Sequence, residues 1–272
     1  IGVNLDVDTI CVLLEKMQLH ATKKDANTIS VRAPPTRSDI LHPCDIMEDV
    51  GIAYGYNNLI KTAPKTSTIG KENPLNQLSD HLRLELAMSG FTEVLTLALC
   101  AEEENFEHMQ KVDDGSAIKI SNPATVDFQT ARISLIPGLL KTLQSNLKLG
   151  LPIQLFEVSD VVLVDNTTEV GAKNVRRLAA LYCSTTSGFE VIHGLLDRLM
   201  IALNIPMKKN LRDGYSIEAS EDPSFFPGRQ ANILLYGEKI GNFGIVHPKV
   251  LEAFKVGRFP CSVLEINVEP FL

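Results

Sequence analysis

The sequence predicts an α+β protein in which strands joined by hairpins form a mostly antiparallel sheet with helices packed on it. Three observations carry this expectation. The runs PIQLFEVSDVVLV and RRLAALYCS have the β-branched and apolar content of strands. QANILLYGEKIGNFGIV sets two β-rich runs around Tyr236 to Lys239, with Gly237 at the permissive turn position of a hairpin. Segments with leucine at helical spacing interrupt the strands without the strict strand–helix alternation of a doubly wound parallel sheet.

In chain order, Asp8 reads as the N-cap of a helix carrying Ile10, Leu13, Leu14 and Met17, and TISVRAPP as a strand stopped by two prolines. A second helix starts at Pro43. The stretch KTAPKTSTIGKENP, 61–74, holds lysines, prolines and hydroxyl residues with almost no large apolar group, the composition of a linker. The predicted organisation is therefore a small module at 1–62, a linker at 63–74 and a larger domain at 75–272. The larger domain opens with a helix over 75–89, bearing Leu78, Leu82, Leu86 and Met88, stopped by Gly90 before the strand-like FTEVLTLALC. LIPGLLKTLQSNL gives a further helix, as do Ile192, Leu195, Leu196, Leu199 and Leu203. A short helix from Pro248 and a strand, CSVLEINV, close the domain.

The chain has 272 residues, 44% hydrophobic and 22% charged, with a formal charge of -7. That balance argues against a main nucleic-acid surface, which needs clustered Lys and Arg. Five widely spaced cysteines without a C-x-x-C pair indicate neither a zinc knuckle nor a disulfide framework and suit a reducing cytosol. No apolar run reaches membrane-spanning length, so no membrane association is expected. Opening at Ile1 without methionine or a signal-peptide pattern, the chain reads as a fragment.

The stretch RSDILHPCDIMEDV gathers Asp39, Asp45, Glu48 and Asp49 within eleven positions. With Pro43 as the first helical residue, steps of about 100° place Asp45, Glu48 and Asp49 in a sector of roughly 100°, opposite Ile46, Val50 and Ala53. Two readings stay open. Acidic residues in a first turn are favoured by the helix dipole and need no ligand. Converging carboxylates with only Arg37 nearby repel one another, and a hard cation such as Mg2+ or Ca2+ relieves that repulsion.

Other motifs are weaker. His42 and His247 each precede a proline and read as structural, and no H-E-x-x-H surrounds any histidine. GEKIGNFG follows no phosphate-binding glycine pattern, and Ser134 and Ser187 lie in no nucleophile elbow. EEENFE, 102–107, reads as a solvated loop or helix start. FFPGRQANI, 225–233, puts Arg229 after a Pro-Gly pair, either as a plain turn or displayed in a cleft.

Taken in order, PPTRSDILHPCDIMEDVGIAYGYNNL, NPATVDFQTARISLIPGLL, LFEVSDVV, FFPGRQANI, GNFGIVHPKVL and LEINVEPFL resemble the β subunit of phenylalanine-tRNA ligase of the eukaryotic and archaeal cytosolic type, over essentially the whole chain. The resemblance implies a winged-helix-like B5 module at 1–62 and, at 75–272, an antiparallel core like that of class II aminoacyl-tRNA synthetases. It implies a cytoplasmic α2β2 heterotetramer in which the α subunit holds the active site for ATP-dependent attachment of phenylalanine to tRNA(Phe). It also assigns Asp39, Asp45, Glu48 and Asp49 as ligands of Mg2+. The family's β subunit has further N-terminal material, including an editing module, which these residues do not match.

Within the resemblance, the core reads as catalytically silent. Class II activation uses an arginine with a glutamate two positions on, whereas Arg132 is followed by Ile133 and Ser134. Where a phosphate-binding arginine is wanted, GNFGIVHP offers His247 and Pro248. Without positioned cations, adenylate formation loses its main electrostatic stabilisation. No catalytic residue is therefore expected, and the helix over 75–89 with its following strand is expected at a subunit interface. The competing class is a stand-alone nucleotide- or nucleic-acid-binding module.

Overall fold

The computed structural model describes residues 1–207 and 213–272, which fall into two units, Ile1–Gly70 and Lys71–Leu272. The first unit holds α1 (Val7–Lys16), β1 (His20–Lys23), β2 (Ile29–Arg32) and α2 (Pro43–Tyr54). The helix expected from Asp8 begins earlier, because Asp6 is the residue whose Oδ1 accepts the Thr9 N–H at 2.8 Å. Asp8 instead pairs with Lys23 at 2.8 Å. Strands β1 and β2 form an antiparallel pair, and Leu13, Leu14, Leu19 and Val50 make a small core. So few buried side chains give such a module little stability of its own.

The second unit opens with α3 (Pro74–Met88), whose N-cap is Asn73, followed by β3 (Thr92–Glu93), β4 (Leu99–Cys100), α4 (Glu102–Asn105), β5 (Thr130–Ala131) and α5 (Ile136–Ser145). The long strands follow: β6 (Ile153–Val164) and β7 (Ala172–Cys183), then α6 (Phe189–Ala202), β8 (Tyr215–Ala219), β9 (Phe225–Leu235), β10 (Glu238–Val246), α7 (Pro248–Ala253) and β11 (Cys261–Asn267). Seven strands form one sheet in the order β3-β6-β7-β11-β10-β9-β8. Within this sheet β3 pairs with β6 in parallel, and the other neighbouring strands pair antiparallel.

Alternation along the strands buries both faces of this sheet. On one face Phe156, Leu178, Phe243 and Leu264 pack with Leu82 and Leu86 of α3 and Leu195 and Leu199 of α6. On the other, Leu155, Leu181 and Val263 pack with Leu139 and Leu143 of α5 and Val250 of α7. The β9–β10 hairpin turns through Tyr236 and Gly237 at φ 52° and 92°, the positive values its tight connection requires.

One sequence expectation changes here. FTEVLTLALC is not a continuous strand; it pairs only at Thr92–Glu93 and Leu99–Cys100. β-propensity does not make a ladder without a neighbour. Between those points Leu95 and Leu97 stand 88% and 70% exposed.

Candidate functional site

The four acidic residues singled out by spacing are set by a turn and by the start of α2. Pro43 occupies the first helical position, His42 Nδ1 accepts the Cys44 N–H at 3.2 Å, and Asp45 Oδ2 accepts the N–H groups of His42 and Leu41 at 2.8 and 2.9 Å. This is a capping arrangement. Those backbone donors hold the Asp45 carboxyl below its ordinary pKa, Leu41 contributing most.

Arg37 organises two of the others. Its Nε and Nη2 grip Asp39 at 3.1 and 2.8 Å, and Nη2 also reaches Asp49 at 2.8 Å. Nη1 donates to the Met17 carbonyl at 2.7 Å, tying the guanidinium to the end of α1. Asp49 is buried at 5% exposure, Asp39 is exposed. The Arg37 hydrogen bond is the main reason that the Asp39 carboxyl lies below the usual range, and the two aspartates together push the guanidinium pKa further up. Glu48 faces solvent and, among the described residues, makes no ion pair. The structure thus joins Asp39 and Asp49 through one arginine, turns Asp45 to the backbone and leaves Glu48 apart. Among the described residues no three His, Cys, Asp or Glu side chains converge as a metal centre.

In the second unit Arg132 follows β5 and is only 7% exposed. Its Nε donates to the Asp160 carbonyl at 3.0 Å, and its Nη1 to Glu157 Oε1 and Thr96 Oγ1, both at 2.9 Å. Thr96 in turn donates its hydroxyl to Glu157 Oε2 at 2.6 Å. Beside this cluster runs a pocket of about 300 Å³ along α5, lined by Thr96, Leu97, Gly138 and Lys141 among others.

A second polar cluster lies on the α5 face of the sheet. Glu265 of β11, 7% exposed, accepts the Leu135 N–H at 2.6 Å, the Ser134 hydroxyl at 3.1 Å and Arg177 Nη1 at 2.9 Å. A buried carboxylate with three donors is satisfied, and here it anchors the start of α5. The adjoining pocket of about 430 Å³ has Ser134, Arg177, Lys239 and Asn242 in its wall. Sequence reasoning found neither cluster, since each joins residues far apart in the chain.

Two of the remaining sequence candidates, His247 and the acidic run, are structural. His247 Nδ1 accepts the Lys249 N–H at 3.1 Å and caps α7. The acidic run at 102–107 forms α4, but its Glu104 is buried at 9% and pairs with Lys141 at 2.7 Å instead of being solvated throughout. Pro227 and Gly228 lie inside β9 and not in a turn between strands.

Comparison with known proteins adds the following. The family model "Phenylalanyl tRNA synthetase beta chain CLM domain" matches residues 59–268, and "tRNA synthetase B5 domain" matches residues 1–56. The phenylalanine–tRNA ligase beta subunits of Drosophila melanogaster and Homo sapiens are each 48% identical over 274 residues, covering 100% of this chain and 46% of theirs. The cytoplasmic beta subunit of Arabidopsis thaliana is 48% identical over 284 residues, covering 100% of this chain and 47% of its own. The chain therefore spans about half the length of the curated relatives it matches. Among solved structures, a pyrrolysyl tRNA synthetase, PylSc of Desulfitobacterium hafniense, superimposes with TM-score 0.57 at 14% identity over 73% of this chain and 67% of its own, a likeness of fold alone.

Proposed function

The chain belongs to the phenylalanine-tRNA ligase β-subunit family, and on that premise we propose that it serves as a non-catalytic portion of such a ligase. It supports ATP-dependent attachment of phenylalanine to tRNA(Phe) by pairing with a catalytic α subunit. The observation that carries the non-catalytic reading is the inward turn of Arg132, whose Nε and Nη1 serve Asp160, Thr96 and Glu157. A cation so engaged is not free to stabilise a transferring phosphate.

Partnership is supported by α3 and the segment after it. Leu84 and Met88 on α3 and Leu95 and Leu97 beyond β3 are 62%, 77%, 88% and 70% exposed. Apolar side chains so placed on a helix and an adjoining extended segment suit burial against a second synthetase-like chain. We take that partner to be the α subunit, in an α2β2 assembly located in the cytoplasm, with tRNA(Phe) bound by the whole.

The same reading includes the finer organisation: a winged-helix-like B5 module at 1–62, a linker at 63–74 and a core at 75–272. It includes Mg2+ at Asp39, Asp45, Glu48 and Asp49. As placed, these four do not form a coordination set, because Arg37 holds two of them and the α2 cap a third. The magnesium reading rests on their number and spacing and on the family resemblance, and it requires Arg37 to yield.

Phenylalanine-dependent pyrophosphate exchange, assayed with the chain alone and with the α subunit, tests the function. Exchange is expected only in the presence of α. Robust exchange by the isolated chain overturns the proposal in favour of an independent nucleotide-using enzyme.

A further inference from the structure

The Pro-Gly-Arg stretch that the sequence left open between a turn and a cleft builds a bulge. Between the pairs Gly244↔Gln230 and Val246↔Phe225, β10 has one residue where β9 has four, so Phe226 to Arg229 are thrown out of the ladder. Gly228 takes φ 69°, with open space where a Cβ would stand. The β8 partner of β9 reaches only as far as Ala231, so the bulge is also free on that side.

What it displays is specific. Phe226, 44% exposed, stacks on His247 with ring centroids 6.4 Å apart at 29°. Arg229 is exposed and, like Arg258, makes no ion pair among the described residues. Arg258 lies over the Phe259 ring at 5.6 Å. Phe226, Arg229, Arg258, Phe259 and Pro248 line one pocket of about 350 Å³, in which Glu252 is the only acid among the described residues. Two guanidiniums without an ion pair among the described residues, against one carboxylate, leave a local positive charge in a chain of net charge -7.

From this geometry we propose that the pocket between the β9 bulge and the Arg258–Pro260 loop binds a nucleotide of single-stranded RNA. Arg229 and Arg258 take its phosphate, and the Phe226 ring takes the face of its base. Unpaired arginines suit phosphate because their fixed donors match its oxygens, and an exposed aromatic beside them accepts any base by stacking. An acidic peptide satisfies the arginines but leaves the Phe226 platform unused. The chain's overall acidity confines binding to this patch and weakens it, without reversing the local sign.

Fluorescence anisotropy of a labelled single-stranded RNA hexamer titrated with the chain tests the proposal, with inorganic phosphate and hexaglutamate as competitors. Saturable binding is expected. Arg229→Gln and Arg258→Gln should each weaken it and lower the salt slope by roughly 0.7, the share of one released counterion on a single strand. Phe226→Ala should weaken it about tenfold with the slope unchanged. All three side chains are exposed, so the variants keep the fold. Absence of saturable binding, unchanged affinity in the arginine variants, or unchanged affinity in Phe226→Ala overturns the proposal. So does competition by hexaglutamate equal to that by unlabelled RNA, which would assign the patch to an acidic peptide.

Discussion

Arg132 and Glu157 form a buried ion pair at 2.9 Å, their side chains 8% and 1% exposed. Removing one partner leaves the other charged and unpaired in the core. Glu157→Ala is expected to destabilise the second unit by about 3–5 kcal/mol. Arg132→Met with Glu157→Leu, which removes both charges, should recover most of that loss. Urea unfolding of the three proteins measures it, and a double variant no more stable than the single one would refute the account.

Thr96 completes that pair, and Gly138 of α5 makes room for it. A Cβ at Gly138 would stand 2.4 Å from Thr96 Oγ1, so Gly138→Ala must push Thr96 off Glu157 despite alanine's better helix propensity. A loss of about 1–3 kcal/mol is expected from overpacking. Gly194, midway along α6, has nothing within 4 Å of its would-be Cβ, so Gly194→Ala should stabilise by about 0.5–1 kcal/mol. Melting curves showing the same sign for both would contradict the packing described.

These contrasts explain what the sequence disclosed and what it hid. Pro43 at a helix start, Gly237 in a hairpin and the leucines of α3, α5 and α6 act through neighbours a few residues away, so local rules suffice. Arg132 and Glu157 lie 25 residues apart, and Ser134 and Glu265 are separated by 131. No periodicity announces such pairs; the sheet order creates them. The acidic group was legible as a charge pattern, but the grip of Arg37 on Asp39 and Asp49 depends on where the turn before α2 brings the guanidinium.

Strong acid should loosen the β6–β7 connection. Asp165 Oδ1 accepts the Thr167 hydroxyl at 2.6 Å and its N–H at 3.0 Å, while Lys173 stands 3.2 Å from Oδ2. Chiefly through Thr167, the Asp165 pKa is lowered to about 2. A carboxyl with a depressed folded pKa contributes fully above its unfolded value, about 3.9, and loses that contribution as pH falls through the folded one. The stability difference between the native chain and Asp165→Asn is therefore expected to be constant above about pH 5 and to shrink between about pH 4 and pH 2. A difference independent of pH across that window would exclude the ionised contacts as its cause.

At the acidic turn, a divalent cation would compete with Arg37 for the same oxygens. Arg37 pairs with both Asp39 and Asp49 and offsets one of their two negative charges, so any Mg2+ bound by them must displace it or draw on further ligands in the proposed assembly. Two consequences can be measured in the intact assembly. Mg2+ should raise its melting temperature, and Asp45→Asn with Asp49→Asn should abolish the rise. Arg37→Met removes the competitor and leaves Asp49, buried at 5%, without its partner. That variant should be destabilised without metal and rescued by Mg2+ to a greater extent than the native protein. The direction of this second effect separates the two readings of the cluster. Equal melting temperatures with and without Mg2+, in both the native and the Arg37→Met assemblies, would leave the arginine as the only counter-ion and the acidic turn as a structural clamp between α1 and α2.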